Sequence, residues 1–320
     1  MRRLALLALL LVTLAAPAVA RAANPIKVIA TQHIDERLAD ITMSTPALAA
    51  PVHVRILVPA GYAARAHTRY PVLYLLHGAL DDYKSWTAEG DAEKLTAGLP
   101  LIVVMPEAGI GGWYTDWVNF GAGGPPEWET FHIGQLIPWV DANYRTKAER
   151  SGRAIAGLSM GGFGAMSYAG RHPDLFTWAG SFSGAVDTVH SSLVLPIIEA
   201  EALASGSLPG AIFGLRPFAD KTWRAHNPWD LAPKLRGMAL MVATGDGEPG
   251  PLDKPGGLPL DPIELGVSDM SEWFHRRLVA LGIPHYWFDY GSGTHSWPYW
   301  QRDLRLALPR IMARFAHPKG

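Results

Sequence analysis

The 320-residue chain contains no cysteine. No disulfide framework braces it, no thiolate serves as a nucleophile, and a cysteine-ligated zinc site is excluded. Charge is sparse as well. Charged residues make up 18% of the chain, and 28 Lys+Arg against 29 Asp+Glu leave a formal net charge of −1. Such a balance provides no basic field for nucleic acid. No polar linker, internal repeat or low-complexity tract marks a domain boundary. A single large hydrophobic core is therefore expected to hold the protein together.

Long apolar runs are also missing. One run of about 13 residues lies in the opening "MRRLALLALLLVTLAAPAVARAANP", with Thr13 and Pro17 interrupting the apolar stretch. That is too short for a bilayer span, so no stable membrane insertion is expected. Two arginines, an apolar stretch and then small residues are instead the pattern of a secretory signal peptide, with cleavage near Ala20 to Ala23. The reading is a leader over residues 1–22, one domain over 23–320, and a secreted product. Without Arg2 and Arg3 the net charge moves from −1 to −3.

Apolar runs alternate with helical patterns, which predicts an α/β protein with a mainly parallel sheet. The expected strands are Val52 to Val58, Val72 to Leu76, Leu101 to Met105, Arg153 to Ala156, Thr177 to Phe182, Ala239 to Ala243 and His285 to Tyr290. Ile133, Leu136, Ile137, Val140 and Tyr144 fall at helical spacing, with Pro138 expected to kink or shorten that helix. Met270 to Leu281 and Arg302 to Phe315 read as the last two helices. Ligands of open α/β sheets bind outside the carboxyl ends of the strands. The loops after Leu76, Met105, Ala156, Ala243 and Tyr290 should therefore converge on one cleft.

One of those loops carries chemistry. Gly157-Leu158-Ser159-Met160-Gly161 fits G-x-S-x-G between an expected strand and an expected helix, the context in which this motif presents a nucleophilic serine. Glycines two before and two after Ser159 allow a sharp turn without a Cβ clash. The helix N-terminus that follows favours an oxyanion. The competing reading makes Ser159 only an N-cap, with the glycines serving close packing.

A serine hydroxyl needs a base, and histidine has the appropriate pKa. In the hydrolase order serine, acid, histidine, the base follows the last strand. His295 and His317 qualify by position, and His295, in a Gly-Ser-Gly-Thr loop, is the candidate. His132, His172, His226 and His275 read as surface or packing residues. Asp246, directly after a strand, is the acid that position prefers; Glu264 lies later. Asp246, Glu248 and Asp253 also suit a plain solvated loop, and calcium spacing there is weak. No metal site is expected. The backbone N–H groups of Met160 and Ala79 are the candidate oxyanion donors.

The segments "VLYLLHGAL", "DDYKSW", "LIVVMPEAGIGGWYTDW", "EWETFHIGQLIPWVDANY", "GLSMGG", "GSFSGAVD" and "GTHSWPYW" together resemble the esterase family that contains the secreted mycolyltransferases, the antigen 85 proteins, and esterase D-like hydrolases. The likeness runs from about Pro51 to Phe315. It implies an α/β-hydrolase fold, a Ser-Glu-His triad, an acyl-serine intermediate and no cofactor. By position it assigns Ser159 as nucleophile and His295 as base. The segment "IELGVSDMSEWF" points to Glu264 as the acid, with Asp246 in reserve.

Some positions depart from the mycolyltransferase pattern. His77 stands where those proteins carry aspartate, and "GALDDY" is shorter and lacks the arginine that helps bind the sugar acceptor there. Met160-Gly161-Gly162 is closer to the family's general esterases. Trp86, Trp113, Trp117, Trp297 and Trp300 gather in the expected active-edge loops, where aromatic faces suit sugar rings or an acyl groove. His77, Trp117 and Trp297 are the candidate substrate contacts. The excursion from Val186 to Leu235 resembles a helical insertion walling the cleft. The leading expectation is a secreted esterase acting on ester or glycolipid-type small molecules. The alternatives are a mycolyl-type transferase with a sugar acceptor such as trehalose, and a non-catalytic glycan- or matrix-binding protein on the same fold. Nothing in the sequence sets an oligomeric state.

Overall fold

The computed structural model describes residues 24–317. The leader-like segment of residues 1–22 lies outside the described residues. Nine strands form one sheet in the order β1-β2-β3-β5-β4-β6-β7-β8-β9. They are β1 (Lys27–His33), β2 (Leu38–Ser44), β3 (Val52–Leu57), β4 (Val72–Leu76), β5 (Ile102–Pro106), β6 (Arg153–Leu158), β7 (Trp178–Phe182), β8 (Ala239–Thr244) and β9 (Tyr286–Asp289). From β5 through β9 every pairing is parallel, whereas β1, β2 and β3 join as an antiparallel extension on β5.

The parallel strands are covered on both faces, which is why they read as unbroken apolar runs. Along β4, Val72, Tyr74 and Leu76 face one core, which includes Phe163 and Met166 of the Met160–Arg171 helix. Leu73 and Leu75 face the other, with Leu304, Leu308 and Ile311 of the Trp297–Ala316 helix. This alternation follows from the two-residue repeat of a strand.

Seven strands lie where the apolar runs predicted them, within a residue or two. The two not foreseen, β1 and β2, differ in character. Every residue of β1 is exposed, so no hydrophobic pattern announces it. On β2, Asp40 accepts two hydrogen bonds of 2.6 and 2.7 Å from the guanidinium of Arg55, its opposed partner on β3, placing charge within a buried stretch. Glu264 belongs to the first turn of the Pro262–Ala280 helix, which begins earlier than the expected Met270. Pro138 does not stop its helix. A wide π-type turn over Thr130–Leu136 runs directly into Ile137–Asn143, the adjustment that a missing proline N–H favours.

Between β7 and β8 the chain makes the expected excursion. It contains the Val194–Ala204, Asp220–His226 and Pro228–Leu231 helices. Gly266 leaves the space into which Leu193 of this insertion packs, docking it on the Pro262–Ala280 helix.

Candidate active site

Ser159 occupies the turn between β6 and the following helix with φ 51° and ψ −121°. Left-handed backbone is costly for a residue with a Cβ and is found where surrounding structure holds it in place. The flanking glycines explain how the turn closes. A Cβ at Gly157 would fall on the Gly161 carbonyl, and one at Gly161 would lie 2.5 Å from the carbonyl oxygens of Leu76 and His77. The Ser159 side chain makes no capping hydrogen bond to the helix, which disfavours the N-cap reading. Ser159 lines a cavity of about 250 Å³ together with Ala79, Met160 and His295.

His295 follows β9, and its Nδ1 lies 2.7 Å from Glu264 Oε2. Its backbone N–H donates to Asp261 Oδ2 at 3.0 Å. The other oxygen of Asp261 caps the Pro262–Ala280 helix by accepting from the N–H groups of Ile263 and Glu264. One aspartate thus ties the histidine loop to the helix that carries the glutamate. The Asp-Pro pair at a helix start is a capping signal that reading for catalytic acids passed over.

Glu264 is 0% exposed. Its Oε1 accepts from the Gly245 N–H at 2.7 Å and from Ser183 Oγ at 2.8 Å, with Thr244 and Tyr290 hydroxyls at 3.3 Å. Burial by itself raises this carboxyl's pKa. The His295 contact and these donors outweigh it and hold the group below its ordinary value. Such a set of donors stabilises the charged form. Asp246 is elsewhere: its carboxylate accepts from the Glu248 N–H in its own loop and makes no contact with His295.

Met160 and Ala79 line the same cavity, and their backbone N–H groups have no protein acceptor among the described residues. The second is held by His77. That side chain is 1% exposed and does not line the cavity. Its Nδ1 sits 2.7 Å from the Gly78 carbonyl, and Tyr114 OH anchors the His77 carbonyl at 2.9 Å. In a trans peptide, C=O and N–H point in opposite directions. Pinning the Gly78 carbonyl on one side therefore turns the Ala79 N–H to the other. The expected substrate contact at His77 becomes a support behind the loop.

The tryptophans divide in the same way. Trp113 and Trp300 line the Ser159 cavity, and Trp300 packs edge-on against His295 with ring centroids 4.9 Å apart. Trp297 borders a neighbouring polar depression beside the histidine loop, with Asp253, Thr294 and Gln301. Trp117 is buried, its indole N–H bound to the Gly112 carbonyl, and it lies away from the Ser159 cavity. Sequence reasoning missed Glu201, a carboxyl of the insertion that lines this cavity. Glu199 and Glu201 stand two apart in an otherwise apolar helix, and nothing in the sequence marked which of them faces the cavity.

A family model described as "Putative esterase" matches residues 45–311. The chain is 35% identical over 285 residues to an esterase of Mycobacterium tuberculosis, a match covering 88% of this chain and 60% of that protein. The chain thus spans about 60% of the length of that relative. It is 33% identical over 252 residues to the diacylglycerol acyltransferase/mycolyltransferase Ag85B of Mycobacterium leprae, covering 75% of each. Among solved structures, an S-formylglutathione hydrolase from Agrobacterium tumefaciens superposes with a TM-score of 0.70 at 17% identity, covering 90% of this chain and 99% of that one. MPT51 of Mycobacterium tuberculosis gives 0.66 at 24%, covering 84% and 96%. These structures share the α/β-hydrolase fold seen here.

Proposed function

The chain belongs to this esterase family, and from that premise we propose that it is a serine ester hydrolase working through an acyl-serine intermediate. Ser159 Oγ attacks the ester carbonyl carbon while His295 Nε2 takes its proton. The His295 Nδ1–H donates to Glu264, which keeps the imidazole in the right tautomer and stabilises the imidazolium. The N–H groups of Met160 and Ala79 receive the oxyanion. On collapse, the C–O bond to the leaving alcohol breaks and His295 protonates that oxygen. Water, deprotonated by His295, then releases the acid.

The observation that carries this reading is the 2.7 Å contact between His295 and a fully buried Glu264, beside a cavity that Ser159 and two uncommitted backbone donors share. Hydrolysis of short acyl esters by the wild-type protein and by Ser159→Ala tests it. Full turnover by the variant would overturn it, and no turnover by the wild type would favour the non-catalytic alternative.

A second reading, transfer of the acyl group to a sugar, rests on the likeness to acyltransferases. The shortened loop after Gly78 weighs against it, and the polar depression at Trp297 weighs for it. Product partitioning from one acyl donor, with water alone or with trehalose or glucose, separates the two. Acylated sugar in competition with water establishes transfer; free acid alone establishes hydrolysis. Export of a single 23–320 domain after removal of a leader completes the proposal, and the N-terminal sequence of the protein recovered outside the cytoplasm tests it.

A further inference from the structure

We propose that the cavity beside Ser159 selects acyl groups that carry a hydroxyl away from the ester carbonyl, and that Glu201 is the residue that binds this hydroxyl. The inference rests on the serine-esterase reading above.

The cavity wall is largely apolar, with Leu158, Leu193, Val194, Ile197, Val267 and Met270 among its residues. Glu201 interrupts it. Val194, Ile197 and Glu201 lie three and four residues apart on the Val194–Ala204 helix, so they share a face, and all three line the cavity. Glu201 is 8% exposed. Its position is constrained from two sides. A Cβ at Gly111 would lie 2.5 Å from the Glu201 Cβ, so glycine is what lets the loop after β5 approach the helix. Trp113, with a left-handed φ of 51°, donates its indole N–H to Glu201 Oε2.

That is the only hydrogen bond the Glu201 side chain makes among the described residues. A carboxyl group can take part in about four, so most of its capacity is left for whatever occupies the cavity. A plain hydrocarbon chain would strip water from it and return nothing, a cost that buried polar groups do not escape. A hydroxyl donates to the carboxylate or accepts from the carboxylic acid, and so satisfies either protonation state. Both states are populated near neutrality, because burial pushes Glu201 up to about 7 against the opposing pull of the Trp113 N–H. The volume of about 250 Å³ falls below the roughly 300–1,000 Å³ of pockets for drug-sized ligands. It suits a short chain or one ring. An aliphatic hydroxyacyl group and a hydroxyaryl acyl group present the same chemistry.

The test compares kcat/KM for two matched pairs of methyl esters: hexanoate with its omega-hydroxy derivative, and phenylpropanoate with its para-hydroxy derivative. Wild-type protein should favour the hydroxylated member of at least one pair by about tenfold or more, the effect of one buried hydrogen bond. The pair that responds identifies the aliphatic or the aromatic source. Glu201→Leu should bring the ratio to about one, chiefly by lowering kcat/KM for the hydroxylated member of the responding pair. In the wild type, the ratio should widen as pH rises through about 7, since a carboxylate beside a plain chain is costlier than a carboxylic acid. His295 and Asp81, the other titratable groups lining the cavity, act on both esters and cancel in the ratio. Glu201→Gln should keep the preference and lose its pH dependence; together with the wild-type profile, it decides the matter if the leucine variant does not fold. A ratio near one in both pairs, or a preference unchanged in Glu201→Leu, overturns the assignment. Ser159-dependent hydrolysis without preference leaves the esterase reading standing, whereas no Ser159-dependent turnover removes that reading and this one with it.

Discussion

His77 Nδ1 lies 2.7 Å from the carbonyl oxygen of Gly78, and this contact sets the orientation of the Gly78–Ala79 peptide. With a carbonyl as its partner, Nδ1 must carry the proton. Nε2 on the other side of the ring faces the Ala108 N–H at 2.9 Å. The imidazole thus braces the loop after β4 against the loop after β5. His77→Ala should leave KM close to wild type and lower kcat by about tenfold to a hundredfold, because the Ala79 N–H loses its aim at the oxyanion; losing a donor outright costs roughly 10²–10³. Steady-state kinetics with one ester checks the split. A change confined to KM would contradict the positioning role.

Glu264→Gln should lower kcat by about 10³-fold or more without unfolding the protein, since an amide in that place favours the wrong histidine tautomer. Asp246→Asn should remain within about twofold of wild type, since its carboxylate bonds only within its own loop and makes no contact with His295. Kinetics of the two variants side by side, with circular dichroism to verify folding, separates the candidate acids. Loss of activity in Asp246→Asn alone would reverse the assignment.

Ser159→Gly should stabilise the protein while abolishing turnover. The strain of a non-glycine residue at φ 51° is of order 1–3 kcal/mol. Glycine's greater unfolded-state entropy offsets roughly 0.5–1 kcal/mol of the relief. A net gain of about 1 kcal/mol corresponds to a rise in Tm of roughly 1.5 °C for a chain of this length. Differential scanning calorimetry measures this, and an unchanged or lower Tm would show that the turn is not strained at this residue.

Stability should fall on acidification, in part through Glu264. Its folded-state pKa lies below the ordinary 4.5, because the His295 contact and its hydrogen-bond donors outweigh the effect of burial. A depressed carboxyl stabilises the fold above its unfolded pKa, and that contribution disappears as pH drops through the folded value. Glu129, whose partners His172 and Arg171 likewise outweigh burial, adds in the same direction. The stability contributed by Glu264 and Glu129 should therefore be level from neutrality to about pH 5.5 and be lost below about 4.5. The decline should be shallower in Glu264→Gln. Equal acid sensitivity of wild type and variant in thermal melts across this range would exclude a contribution from Glu264.

Much of this protein was readable from its residues because the signals are local. Apolar runs such as Val72 to Leu76 must be strands buried on both faces, since five successive buried positions fit a covered parallel sheet. Glycines at 157 and 161 around Ser159 announce a turn that no Cβ could enter. The edge strand β1 was not readable, because a strand exposed along its whole length carries no hydrophobic period. Helix starts such as Pro262 were obscured because surface turns of a helix need no apolar residue.

Sequence alone thus determined the strand-turn-helix that presents Ser159, the sheet class, and the histidine after the last strand, because each depends on residues within one or two turns of chain. Tertiary structure decided the rest. Position in the chain favoured Asp246 as the acid and the family resemblance favoured Glu264; Glu264 is the carboxylate beside His295, 31 residues away in the chain. His77 lies behind the loop it supports, Trp117 is packed in the core, and Glu201 faces the cavity from a separate insertion. Each of those outcomes depends on which surfaces the folded sheet brings into contact, and pairings between distant segments leave no periodic trace in the chain that encodes them.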